Sequence, residues 1–131
     1  MLPATLRILA IICALVALTH VVLGVSGDWI VGAPVASPID PTLDSQNRFY
    51  GAAFGLYAAL FWLCAGDLPR YATVLRLLLA AFFIAGCARL LAIAAHGWPA
   101  APVIGLMLSE FIVPVVIWIW LNRTIGQGTR Q

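Results

Sequence analysis

The sequence predicts an all-α fold, an integral membrane four-helix bundle with both termini cytoplasmic. Three observations predict it. The chain of 131 residues is 63% hydrophobic and only 9% charged, with a mean hydropathy of +1.04. A soluble domain of this size needs far more charge to cover its surface. Four apolar segments follow one another, at residues 6–25, 48–65, 71–95 and 103–121. Each spans a bilayer at about 1.5 Å of rise per residue. Their apolarity is continuous rather than striped, which marks membrane helices and not amphipathic soluble ones. The arginines, finally, crowd one side of these segments. The whole chain, 1–131, reads as a single transmembrane domain.

The elements follow in order. Segment 6–25 is long for the apolar part of a secretory signal, so it reads as a retained anchor. The external loop, 26–47, is rich in Gly and Pro and carries Asp28, Asp40 and Asp44. Asp40-Pro41 has the form of an N-cap followed by proline at the first helical position, so the second helix has a possible earlier start at Pro41. Gly66 and Gly97 have the form of helix C-terminal glycines. Residues 65–70 and 96–102 make short hairpin connections, so helices two to four are expected to be antiparallel neighbours.

Orientation follows from the basic residues. Arg7, Arg70, Arg76, Arg123 and Arg130 flank one side, while Arg48 alone flanks the other, beside the three acids of the long loop. Both termini are therefore expected in the cytoplasm, with Trp29 and Trp98 at the outer interface. This placement corresponds to a multi-pass protein of a bacterial inner membrane. The formal net charge of +2 gives no electrostatic footprint for nucleic acid. There is no Lys, so lysine Schiff-base and phosphate-loop chemistry are excluded.

Two charges fall inside the spans. Arg89 lies in the third and Glu110 in the fourth. A charge at membrane depth costs roughly 2.5–3.5 kcal/mol on insertion scales, so it needs a partner or a purpose. Each lies seven residues from the outer end of its helix (His96 and Val103 respectively), about 10 Å down. The two can meet as an Arg–carboxylate pair in the outer half of the bundle. Arg48, Asn47, Tyr50, His20 and Ser109 are expected in the same layer. Pro114 follows Glu110 by four residues, so its ring displaces the Glu110 carbonyl from a helix hydrogen bond and predicts a kink. The candidate ligand-binding set is thus Arg48, Arg89, Glu110, His20, Tyr50 and Ser109. Each has a structural reading too: Arg89–Glu110 as internal glue, Asp44–Arg48 as an i,i+4 pair, His20 as a packed interhelical group.

Small residues recur at helix-packing spacing: Gly51, Gly55 and Ala59; Ala81, Ala85, Ala88 and Ala92; Ala101, Gly105 and Ser109. The Gly51/Gly55 face suits either a helix of the same chain or a membrane-protein partner or second copy. Cys13, Cys64 and Cys87 sit in apolar runs without Cys-x-x-Cys spacing. No metal-binding, nucleophile-elbow or phosphate-loop motif is present. No cofactor is predicted, and no metal site.

Four stretches carry a family resemblance: Asn47-Arg48-Phe49-Tyr50-Gly51, Ala85-Gly86-Cys87-Ala88-Arg89-Leu90-Leu91, His96-Gly97-Trp98-Pro99 and Ser109-Glu110-Phe111. In order and spacing the chain from helix two onward resembles the small bacterial four-helix membrane proteins grouped as domain of unknown function 4345. The resemblance implies the bundle and recurring positions at Arg48, Gly86, Arg89 and Glu110. It implies no reaction. A likeness in form to DoxX-like four-helix membrane proteins is fold-level analogy. The function expected is non-enzymatic: a small binding or accessory protein whose Arg/Glu cluster holds a polar or anionic head group, with membrane lipid or a quinone as the occupant. The alternatives are a structural or assembly subunit of a larger complex, and a small transporter or redox membrane enzyme.

Overall fold

Proline near the first turn marks where helices begin in this chain, and at two of them a capping aspartate stands before it. The computed structural model describes residues 1–128. Helix α1 covers Leu2–Leu23 and leads into a 3₁₀ segment, Gly24–Val31. Helices α2, α3 and α4 cover Pro41–Gly66, Leu68–His96 and Ala101–Gly128. Pro3, Pro41 and Pro69 stand in the first turns of α1, α2 and α3. All four helices are long and apolar enough to cross a membrane. Arg130, one of the flanking arginines, lies outside the described residues.

Asp40 caps α2, its carboxylate accepting from Thr42 N at 2.7 Å and Leu43 N at 3.4 Å. These backbone N–H groups hold its carboxyl below the ordinary carboxylate range. The helix therefore starts at Pro41, and the polar stretch 42–47 belongs to it rather than to the loop. Asp67 is both the C-cap of α2 and the N-cap of α3, accepting from Arg70 N at 3.1 Å. The expected connection 65–70 thus contracts to one residue between helices. Gly66 is the last helical residue and not the cap. Gly97 is a cap as expected, with φ 88° and its N–H on Ile93 O at 2.8 Å. Helix α4 runs through Pro114 as one element.

Helix α1 packs most extensively on α2, and α3 on α4; α2 and α3 touch less, and α1 meets α4 only slightly. The bundle consists of two close pairs joined through α2 and α3. Its apolar core lies at the terminal end, the end that carries Met1 and the Asp67 turn. There Leu6, Cys64, Phe61, Leu75, Leu79 and Leu121 are almost wholly buried. Arg7 sits over the Trp62 ring at 5.9 Å, and Arg76 donates to Asn122 at 3.1 Å, so the charges at this end stay at the rim. Ile8, Leu15, Leu56, Leu77, Leu91 and Ile112 face outward, as lipid-facing residues do.

The loop end is built differently. Its buried positions include Gly24, Gly51, Gly86 and Glu110. A Cβ on Gly51 would lie 2.8 Å from Val21 N and 2.9 Å from His20 Cβ. The Gly51 face is therefore taken by α1 of the same chain. On the other pair, close approach occurs at Gly86, where a Cβ would lie 3.1 Å from the Phe111 ring and 3.2 Å from Glu110 Cβ. Gly105 has nothing within 4 Å, so the small-residue row through Ala101, Gly105 and Ser109 is not the packing seam of α4. The seam is set by the aromatic contact of Phe83 with Phe111, whose centroids are 5.1 Å apart, and by the Glu110 side chain.

Candidate functional site

At the loop end, the polar residues form two separate joints. The first joins α3 to α4. Arg89 Nε donates to Glu110 Oε2 at 2.7 Å. The Glu110 side chain is 6% exposed and that of Arg89 37%. Gly86, one turn before Arg89, lets the two backbones come near enough for the pair to close. Proline at 114 leaves the Glu110 carbonyl without its helical donor, which adds an acceptor beside the carboxylate.

The contact is single-pronged. An arginine has five N–H donors, and this one spends one of them. Among the described residues, the two terminal guanidinium nitrogens make no hydrogen bond, and Glu110 Oε1 accepts none. Four donors in a planar fork can receive a phosphate, sulfate or carboxylate while Nε stays on Glu110.

The second joint ties α1, the 3₁₀ segment and α2 together. Arg48 Nε donates to Asp44 Oδ2 at 2.8 Å, and its Nη1 donates to Val21 O at 2.7 Å and Val22 O at 3.1 Å. These carbonyls belong to the last turn of α1, so Arg48 caps that helix from its neighbour. Asp44 Oδ1 accepts from Val25 N at 3.0 Å. His20 places Nδ1 2.8 Å from Val16 O and Nε2 3.1 Å from Asp28 Oδ1. Asn47 Nδ2 donates to Asp28 Oδ2 at 3.3 Å. Here almost every polar group has a partner; Asn47 Oδ1 is a buried acceptor without one.

The six sequence-predicted site residues are thus divided. Arg89 and Glu110 meet as expected. Arg48 and His20 belong to the other joint, and no hydrogen bond or ion pair among the described residues links the two joints. Tyr50 is exposed and packs edge-on against Phe49 at 6.1 Å. Ser109 turns its hydroxyl back to Leu106 O at 2.7 Å rather than toward the carboxylate. This back-bond is the usual local outlet for serine within a helix.

Asp28 is the residue that sequence reasoning missed, and Asn47, expected in the polar layer, was left out of the ligand-binding set. Asp28 stood among loop acids, and only the fold of 24–31 brings it onto His20. The sign available was Gly24, whose φ of 58° starts that fold. Among the described residues no group of three His, Cys, Asp or Glu is placed to hold a metal ion.

No curated protein and no solved structure matches the chain. A family model does match, and the match takes in α1 as well as the three helices that carry the quoted motifs. With residues 1–121 matched, the chain belongs to the family described as domain of unknown function (DUF4345).

Proposed function

We propose that this is a non-enzymatic binding or accessory protein of the bacterial inner membrane, with both termini cytoplasmic. In this reading Arg89 and Glu110 form a site in the outer half of the bundle for the anionic or polar head group of a lipid or quinone. The observation that carries it is the open fork of Arg89. A pair serving only as glue gains most by engaging both prongs and hiding both partners. Here Glu110 is buried while Arg89 keeps its terminal nitrogens unpaired and over a third of its side chain accessible. Glu110 then orients the guanidinium, and Arg89 supplies the hydrogen bonds to the ligand. Arg48 stands outside this site: its Nε is held by Asp44 and its Nη1 by the last carbonyls of α1.

Native mass spectrometry of the protein, gently extracted from its own membrane, tests this. The expected result is a co-purifying small molecule on the parent that is lost from Glu110→Gln. A stoichiometric protein partner with no small molecule would overturn the reading in favour of an assembly subunit. Retention of the same ligand by Glu110→Gln would remove the carboxylate from the site.

A further inference from the structure

We infer that the groove between α2 and α3 holds an acyl chain of an anionic phospholipid whose phosphate sits on Arg89. This deepens the head-group reading and rests on it. The groove has a volume of about 410 Å³ and is lined by Ala53, Leu56, Tyr57 and Leu60 from α2 and by Val74 and Ala81 from α3. That volume is within the range of small-ligand sites. Apart from the Tyr57 hydroxyl, its lining side chains are apolar.

α2 and α3 are fastened at the terminal end and meet again where the Tyr57 and Phe82 rings pack edge to face, centroids 5.7 Å apart; the groove lies beside that contact. The single-residue turn at Asp67 and the buried Phe61, Cys64, Leu75 and Leu78 fasten them at the terminal end. Toward the loop end α3 offers alanine: Ala81, Ala88 and Ala92 are exposed, and Ala85 half-buried. The alanine row, expected to be a packing seam, is an open face.

Arg89 stands at the head of that face. Ala81, Ala85 and Arg89 are spaced four residues apart and so share one side of α3. Eight residues separate Ala81 from Arg89, about 12 Å along the axis. A head group on the guanidinium therefore directs its chain down the α3 face into the groove. An apolar groove alone selects nothing in a bilayer, because lipid tails are as apolar as leucine. A fixed cation with four unspent N–H donors above one end makes the site selective for an anionic lipid.

The test uses the full chain, delipidated in a neutral maltoside detergent. Dioleoyl phosphatidylglycerol, dioleoyl phosphatidylcholine and glycerol phosphate are titrated in turn by native mass spectrometry. Three proteins are compared: the parent, the groove-filling Ala81→Phe, and the charge-neutral double variant R89Q/E110Q, which avoids a stranded buried charge. The parent is expected to retain one phosphatidylglycerol in clear preference to phosphatidylcholine. Ala81→Phe should weaken phosphatidylglycerol roughly five- to tenfold while leaving glycerol phosphate binding unchanged, and R89Q/E110Q should lose both. Parent-like lipid binding by Ala81→Phe would overturn the groove and leave the head-group site standing. Parent-like preference in R89Q/E110Q, or equal retention of the two lipids by the parent, would overturn both.

Discussion

The two loop-end joints are made of the same chemistry and are put together in opposite ways. Between α1 and α2, Arg48 divides its donors among Asp44, Val21 O and Val22 O, and Asp28 meets both His20 and Asn47. Between α3 and α4, Arg89 and Glu110 share one hydrogen bond. The more exposed arginine is thus the more fully used: the Arg48 side chain is 45% exposed, yet its Nε and Nη1 together make three hydrogen bonds to protein, against one for Arg89. Exposure alone therefore does not identify a binding arginine. What separates a structural joint from a site is the number of donors left over once the fold is satisfied.

The sharpest way to break this comparison is to remove one member of the α3–α4 pair. Arg89→Ala strands Glu110, which is 5% exposed, and should cost about 3 kcal/mol, at the low end for a broken buried pair because Arg89 is partly accessible. The double variant R89Q/E110Q should recover much of that loss, since neither charge is then left alone. Thermal unfolding in mild detergent reads both. If Arg89→Ala melted with the parent, the pair would contribute nothing to the fold.

The α1–α2 joint depends on backbone approach as much as on charge. At Gly51 an added methyl meets Val21 N, His20 Cβ and Ala17 O at 2.8–3.1 Å, and backbone atoms cannot give way cheaply. Gly51→Ala should cost about 2 kcal/mol by overpacking. At Gly55 the nearest atom is Ala17 Cβ at 3.8 Å, ordinary contact, so Gly55→Ala should be close to neutral. Equal melting temperatures for the two variants would show that α1 does not sit on the Gly51 face.

Arg48→Gln separates the two arginines by function. It removes the cap on the last carbonyls of α1 and the pair with Asp44, for a loss of about 1 kcal/mol. It should leave head-group binding at Arg89 unchanged. A variant that melts like the parent but loses the ligand would reverse the assignment, moving Arg48 into the site.

The fold was largely legible because membrane helices announce themselves by length and apolarity, which are local properties. The Arg89–Glu110 meeting was legible for a related reason: a short connection between antiparallel helices converts equal offsets from the turn into equal depth. The rest depended on rotation about the helix axes and on the path of the loop. Ser109 neighbours Glu110 in sequence, but successive residues on a helix point about 100° apart, and its hydroxyl found Leu106 O instead. The Ala81 row and the Ala101–Gly105–Ser109 row have the spacing of a seam, but spacing does not say which face a neighbour covers. Gly86, carrying the bulky Phe111 and Glu110 opposite, took that role. Asp28 needed the 3₁₀ fold of 24–31, for which the sequence offered only glycines.

Asp40 provides the gentlest probe, because it acts on the loop end without touching either joint. Its carboxylate accepts from Thr42 N and Leu43 N and, among the described residues, holds no side-chain ion pair. Hydrogen bonding to the charged form lowers its pKa relative to the unfolded chain. The sign follows: the cap stabilises α2 fully above the ordinary carboxylate range, and the contribution fades as pH falls through the lowered value of the folded state. Asp40→Ala should therefore lower the melting temperature by roughly a degree or two near neutral pH and by less in strong acid. A deficit that grew on acidification would mean that the carboxyl donates rather than accepts, and the first turn of α2 would have to be held by something else. A constant deficit would assign the effect to helix propensity at position 40 and not to charge. Either way the two joints should keep their order of sensitivity, because neither Arg48 nor Arg89 is bonded to Asp40.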